Sequence, residues 1–191
     1  MKVVFVRHGE TDWQLVESRG IRGWAASFAP LTPLGRLQID TIARDFRLQE
    51  AEAILCSSYA RALESAARLS RALNKPLYVE YDLHEWLPQK DPLGDIDPGL
   101  LDRANETLRE APEGRLGRER EVPWESLDEV RLRVIGVLRR YRHLPSVIVV
   151  THAVVIGSLV GMDRLVDYAE IVPVDLDLDE ARDLQVEQAS Y

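Results

Sequence analysis

Two of the four histidines stand directly behind runs that suit buried strands. His8 follows Val3-Val4-Phe5-Val6-Arg7, and His152 follows Val147–Val150 and Thr151. A neutral imidazole is a competent nucleophile toward phosphorus or carbonyl carbon. Arg7, beside His8, carries a planar fork of donors that suits phosphate oxygens, and suits equally a salt bridge closing the strand end. Arg61 comes three residues after Ser58, in the expected first turn of a helix. Positive charge is disfavoured there by the helix dipole. A bound anion would resolve the conflict, and so would a side chain turned to solvent. Glu85 lies in Leu83-His84-Glu85-Trp86-Leu87-Pro88. If its apolar neighbours desolvate the carboxyl, its pKa rises and it can donate a proton near neutrality. Asp82 and Asp91 are the competing acids.

These residues need elements to position them. Lys2–Val6, Ala53–Cys56, Leu77–Val79 and Val147–Val150 read as strands, the first two and the last as continuous apolar runs typical of a parallel sheet buried on both faces. A polar loop is expected from Gly9 to about Pro33. A helix follows Gly35, with Ile39, Ile42, Ala43 and Phe46 on one face. Ser57-Ser58 offers N-cap hydroxyls to another, whose stripe is Ala62, Ala66, Leu69 and Leu73. Ser126 and Glu129 fit a capping box, opening a helix with Leu127, Val130, Val134, Val137 and Tyr141 on its buried side. A last helix starts near Val154. Residues 91–123, punctuated by Pro and Gly, read as a lid or insertion with a short helix near Leu100–Arg109. Val174, Leu176 and Leu178 alternate with Asp175, Asp177 and Asp179, a half-buried strand with a charged outer face. Alternating strands and helices predict an α/β architecture. Ligands bind at the carboxyl ends of such strands, which singles out Arg7-His8 and Thr151-His152.

The chain has 191 residues, 46% hydrophobic and 29% charged, which excludes disorder as the main state and predicts one domain with an insertion. Cys56 is the only cysteine, so no disulfide framework exists, and a reducing cytoplasm is the expected location. The net charge of −8 is concentrated in the last 29 residues, where nine acids face two bases. The remainder is close to neutral. No broad basic face follows, so nucleic acid is not an expected partner. Leu144–Met162 carries one ionisable residue, His152, over 19 positions. Pro145, Ser146, Thr151, Gly157 and Gly161 break it into a strand, a turn and a helix, and no membrane partner is expected.

The ordered segments resemble the histidine phosphatase superfamily. They are Arg7-His8-Gly9-Glu10-Thr11; Leu31-Thr32-Pro33-Leu34-Gly35 with Gln38; Ser57-Ser58-x-x-Arg61-Ala62; Leu83-x-Glu85; and Val149-Val150-Thr151-His152. The resemblance runs to about Gly161. It implies the phosphoglycerate mutase-like fold, a three-layer α/β/α sandwich with a mainly parallel sheet. It implies His8 as the nucleophile that becomes phosphohistidine, with Arg7, Arg61 and His152 lining the phosphate pocket and Gln14 beside them. Glu85 would protonate the leaving oxygen and then deprotonate water. Arg22 and Gly23 match the loop that touches substrate in the mutase members. The chain departs from the family at Gln14, where Asn is frequent, at Ala153, where Gly is common, and after Glu85, where a glycine-containing pattern is missing. His8, Glu10 and His152 could in principle face a metal ion, but Arg7 and Arg61 would repel it, so no metal or other cofactor is expected. The expected activity is metal-independent hydrolysis of a small phosphomonoester, because the insertion mixes bases with acids. The alternatives are a phosphoglycerate mutase-type phosphomutase and a catalytically weak phosphate-binding or regulatory module. Oligomeric state stays open, a homodimer included.

Overall fold

The computed structural model describes residues 1–21, 23–90, 99, 102–106, 124–163 and 166–178. Five strands form one sheet: β1 (Lys2–Arg7), β2 (Ala53–Ser57), β3 (Leu77–Glu80), β4 (Ser146–Thr151) and β5 (Ile171–Asp175), in the order β3-β2-β4-β1-β5. All neighbours are parallel except β5, which runs antiparallel to β1 along one edge. Five labelled helices accompany them: α1 (Trp13–Ser18), α2 (Pro33–Ile42), α3 (Ala60–Leu73), α4 (Leu127–Arg140) and α5 (Ala153–Val160).

The continuous apolar runs divide by period two, as strand geometry requires. Val3, Phe5, Ala53, Leu55, Val147 and Val149 face one side, where they meet Val130 and Val134 of α4 and Val155 and Ile156 of α5. Val4, Val6, Ile54, Cys56, Ile148 and Val150 face the other, against Ile39 of α2 and Ala62, Ala66 and Leu69 of α3. Cys56 is thus a buried small hydrophobe, and desolvation pushes its thiol up to about 12. The result is a three-layer α/β/α sandwich. The capping box at α4 is complete: the Glu129 amide donates to Ser126 Oγ (3.2 Å) and the Ser126 amide to Glu129 Oε2 (2.7 Å).

Several local expectations need correction. The polar stretch from Gly9 to Pro33 contains α1, capped by Asp12, whose carboxylate accepts from the Leu15 amide, and a 3₁₀ turn at Gly23–Phe28. Helix α2 starts at Pro33, two residues early, because Thr32 is its N-cap and accepts from the Gly35 amide at 2.9 Å. Phe46 leaves the expected stripe: it lies beyond α2 in a 3₁₀ turn, 80% exposed, and Leu48 is buried instead. Tyr59, not Ser57 or Ser58, is the N-cap residue of α3. The last strand begins earlier and ends at Asp175, and Leu176 and Leu178 follow it outside the sheet. Most of the expected lid at 91–123 lies outside the described residues; Gly99 and residues 102–106 are helical, and Ala104 is fully buried. Among the described residues no helix is long and apolar enough to cross a membrane.

Candidate active site

The parallel pairing of β1 with β4 sets Arg7 opposite Thr151, so the residues just past both strands become neighbours. The His8 amide donates to the Thr151 carbonyl at 3.0 Å. The His8 and His152 rings then meet edge to face, centroids 5.1 Å apart. Both are buried, at 3% and 0% exposure. The third contributor comes from α3, whose first turn turns Arg61 inward at 5% exposure. Arg61 Nε donates to His8 Nε2 at 3.2 Å. Of the two readings of Arg61, the solvated one is therefore wrong.

The hydrogen bonds fix the state of each ring. His8 Nδ1 lies 2.8 Å from the Gly9 carbonyl, which can only accept, so the proton sits on Nδ1 and the lone pair on Nε2. Burial, then the Arg61 charge, lower the His8 pKa to about 3; the nearby Arg7 charge acts in the same direction. Ser57 Oγ accepts from the Tyr59 amide (3.2 Å), which leaves its own hydrogen for His152 Nε2 at 2.8 Å. With the Ser57 hydrogen given to Nε2, the ring proton sits on Nδ1, which is buried and has no partner among the described residues. Burial keeps this ring neutral as well, and the charges of Arg61 and Arg133 act in the same direction.

Arg7 completes the cluster. Its Nη1 donates to the Val166 carbonyl at 2.5 Å, and its Nε is buried with no partner among the described residues. No carboxylate among the described residues forms an ion pair with Arg7 or Arg61. Two guanidinium groups in a partly dry site without a contacting anion, with unpaired N–H groups beside a nucleophilic nitrogen, make a receptor for an oxyanion.

Glu85 is the candidate acid. It follows a 3₁₀ turn at Tyr81–Leu83 that is tied to β4 by Thr151 Oγ1 donating to the Leu83 carbonyl (2.8 Å). Burial raises its pKa, against the Trp86 amide bound to its Oε1 and against the charges of Arg61, Arg7 and Arg133. The competing Asp82 carboxylate faces Arg140 at 3.8 Å, and Asp91 lies outside the described residues. A buried ion pair of Arg133 with Glu125 (2.6 Å) holds the segment: Arg133 Nη1 also donates to the Asp82 carbonyl (2.5 Å), and Glu125 Oε2 accepts from the Leu87 amide (3.1 Å).

The loop carrying His8 is braced from below. Gly9 and Gly35 approach so closely that a Cβ on Gly35 would stand 2.2 Å from the Glu10 carbonyl oxygen. The Glu10 amide donates to Gln38 Oε1 (2.9 Å), and Thr32 Oγ1 donates to Glu10 Oε1 (2.7 Å). Glu10, weighed with the histidines as a metal ligand, is thereby turned to α2. Glu64 on α3 joins the same scaffold, accepting from the Leu31 amide (2.9 Å) and Arg36 Nε (2.5 Å).

Four of the expected residues, Arg7, His8, Arg61 and His152, thus come together, and Glu85 follows the turn that Thr151 ties to β4 beside them. Gln14 sits exposed on α1. Gly23 opens the 3₁₀ turn with φ +62°, also exposed, and Arg22 lies outside the described residues. Sequence reading missed Ser57 as the partner of His152 and Ser65, whose Oγ accepts from the Gly9 amide (3.2 Å). It also missed the aromatic surround. Trp13 and Tyr59 lie 5.2 and 5.1 Å from the Arg61 guanidinium carbon, and Tyr168 lies 4.0 Å from that of Arg7. Tyr59, two residues before Arg61, and Trp13, three residues after Glu10, were near enough in sequence to have drawn notice, whereas Tyr168 was not.

The sequence pattern of the histidine phosphatase superfamily (branch 1) matches residues 3–187. A probable phosphoglycerate mutase GpmB of Cronobacter sakazakii is 28% identical over 172 residues, covering 84% of this chain and 74% of that protein. Among solved structures, a mycobacterial glucosyl-3-phosphoglycerate phosphatase superposes with a TM-score of 0.67 at 18% identity, over 91% of this chain and 89% of the other. The α-ribazole phosphatase of Shigella flexneri gives 0.62 at 21% identity, over 93% and 91%.

Proposed function

From the premise that the chain belongs to the histidine phosphatase superfamily (branch 1), we propose that it hydrolyses a small phosphomonoester through a phosphohistidine on His8. One observation carries this reading: the His8 imidazole offers its Nε2 lone pair inside a set of buried groups, Arg7 Nε, Arg61 and His152 Nδ1, that have no carboxylate in contact among the described residues.

The phosphoryl oxygens take the unpaired Arg7 and His152 hydrogens. Arg61 Nε–H swings from His8 Nε2 to a phosphate oxygen, which frees the lone pair as the phosphorus arrives. Nε2 attacks in line, the P–O ester bond breaks, and Glu85 gives its proton to the departing alkoxide. The Glu85 carboxylate then takes a proton from water as the hydroxide attacks phosphorus. The P–N bond breaks, inorganic phosphate leaves, and His8 and Glu85 return to their starting states. The arginines and His152 stabilise charge on the equatorial oxygens, a role worth on the order of 3 kcal/mol per group in comparable sites.

A panel of phosphomonoesters, with released phosphate measured, tests the reading. Turnover with an acid-labile phosphoenzyme that His8→Ala abolishes is the expected result. Isomerisation of 3-phosphoglycerate without phosphate release would make the protein a mutase. Vanadate binding with no turnover of any ester would make it a binding module.

A further inference from the structure

The turn that leads into β5 wraps the nucleophile's strand end. The Ala169 amide reaches the Arg7 and His8 carbonyls (3.1 and 3.2 Å), and the Arg7 amide donates to the Glu170 carbonyl (3.1 Å). The turn is closed on itself by the Glu170 amide on the Asp167 carbonyl (3.0 Å) and the Asp167 amide on Glu170 Oε2 (2.7 Å). Ala169 sits at φ +57°, a left-handed conformation that costs a non-glycine residue on the order of 1 kcal/mol and persists where the surroundings enforce it. What this conformation delivers is Tyr168. Its ring lies over the Arg7 guanidinium, 4.0 Å from carbon to centroid, and 5.7 Å from the His8 ring.

Arg7 needs such a support. Among the described residues only its Nη1 has an acceptor, the Val166 carbonyl of the same turn, and that one bond would leave the plane of the guanidinium free to rotate. A ring lying over the guanidinium carbon restricts that freedom without occupying a donor.

We propose that Tyr168 is a positioning residue for phosphate binding: its π face holds the Arg7 guanidinium flat, with its unpaired Nε–H directed at the incoming oxyanion. This rests on the reading of the pocket as a phosphate site and adds to it a side chain outside the segments that carry the family resemblance.

Vanadate affinity of the whole protein tests the proposal. Tyr168→Leu, which keeps bulk and loses the π face, is expected to weaken vanadate about five- to thirty-fold. Tyr168→Phe keeps the ring and restores affinity to within about threefold of wild type. Pentafluorophenylalanine at position 168, which keeps the shape and inverts the charge of the ring face, should behave like leucine and covers the case in which Tyr168→Leu does not fold. In an Arg7→Ala background the loss of the π face should cost less than about twofold, because its action runs through Arg7; a merely structural role would cost the same in both backgrounds. Equal effects in the two backgrounds, a Phe variant as weak as the fluorinated one, or a fluorinated variant as tight as wild type would each overturn the proposal. Wild type that binds vanadate but ignores the ring change overturns this inference alone, whereas wild type that does not bind vanadate overturns the phosphate reading and this inference together.

Discussion

Burial holds the Glu85 carboxyl above the ordinary carboxylate range, against the Trp86 amide and three arginine charges. A group whose folded pKa is raised stabilises the fold below its unfolded pKa, and that contribution is lost as pH rises through the folded value. Glu85→Gln should therefore raise the thermal midpoint relative to wild type at pH 8 and change it little at pH 4, as calorimetry at the two pH values would record. The same substitution should erase the alkaline limb of the kcat/KM profile. It should slow esters with poor leaving groups by about 10²–10⁴ while affecting p-nitrophenyl phosphate far less. Equal losses on both substrates would remove Glu85 from the acid role. On the acid side, the lowered His8 pKa of about 3 leaves the nucleophile neutral well below pH 6.5.

Among the elements, α2 and the loop after β1 depend on the absence of two side chains. A Cβ on Gly35 meets Glu10 backbone and one on Gly9 meets Gly35 backbone, and neither can be relieved by a rotamer change. Gly35→Ala is expected to destabilise the protein by about 1–3 kcal/mol in urea unfolding and to lower activity further, because the displaced segment carries His8. This dependence was partly legible in the sequence: the Leu31–Gly35 segment and Gln38 stood out beside Arg7–Thr11, but not that they touch. The strands were legible because β-branched runs bounded by polar residues have few alternatives, and α4 because Ser126 and Glu129 cap it. Helix α1 was hidden by its six-residue length, too short to show a period, although Asp12 three residues before Leu15 was an available cap signal. Ser57 looked like a helix cap because its chemistry suits either task, and only the crossing of β4 beside β2 brings His152 to it. Tyr168 could not be found at all: it reaches Arg7 across 161 positions of sequence, through a turn whose closure lies in backbone bonds.

For the molecule as a whole, holding two buried imidazoles neutral brings sensitivity to acid. His8 and His152 are both held neutral in the folded protein, while an unfolded chain titrates them near 6.5. The unfolded state thus binds more protons below pH 6.5, and stability is lost as pH falls from there toward about 3. For His8 alone the full loss is on the order of 5 kcal/mol. Thermal midpoints should drop steeply between pH 7 and pH 4.5, and less steeply in His8→Asn. Inorganic phosphate at a hundred times its Kd should add about 2.7 kcal/mol at fixed pH by binding only the folded form. A flat midpoint over that range would mean the imidazoles are open to solvent.

The placement of β1 between β4 and β5 has a consequence for motion. The Arg7 and His8 amides are each bonded to a flanking carbonyl, Glu170 on one side and Thr151 on the other. Deuterium from solvent could reach them only by parting the sheet, the slowest class of opening a folded chain undergoes. On the proposed mechanism the strand end beneath His8 stays still, and the motion falls to the Arg61 side chain already in the pocket, which exchanges His8 Nε2 for a phosphate oxygen.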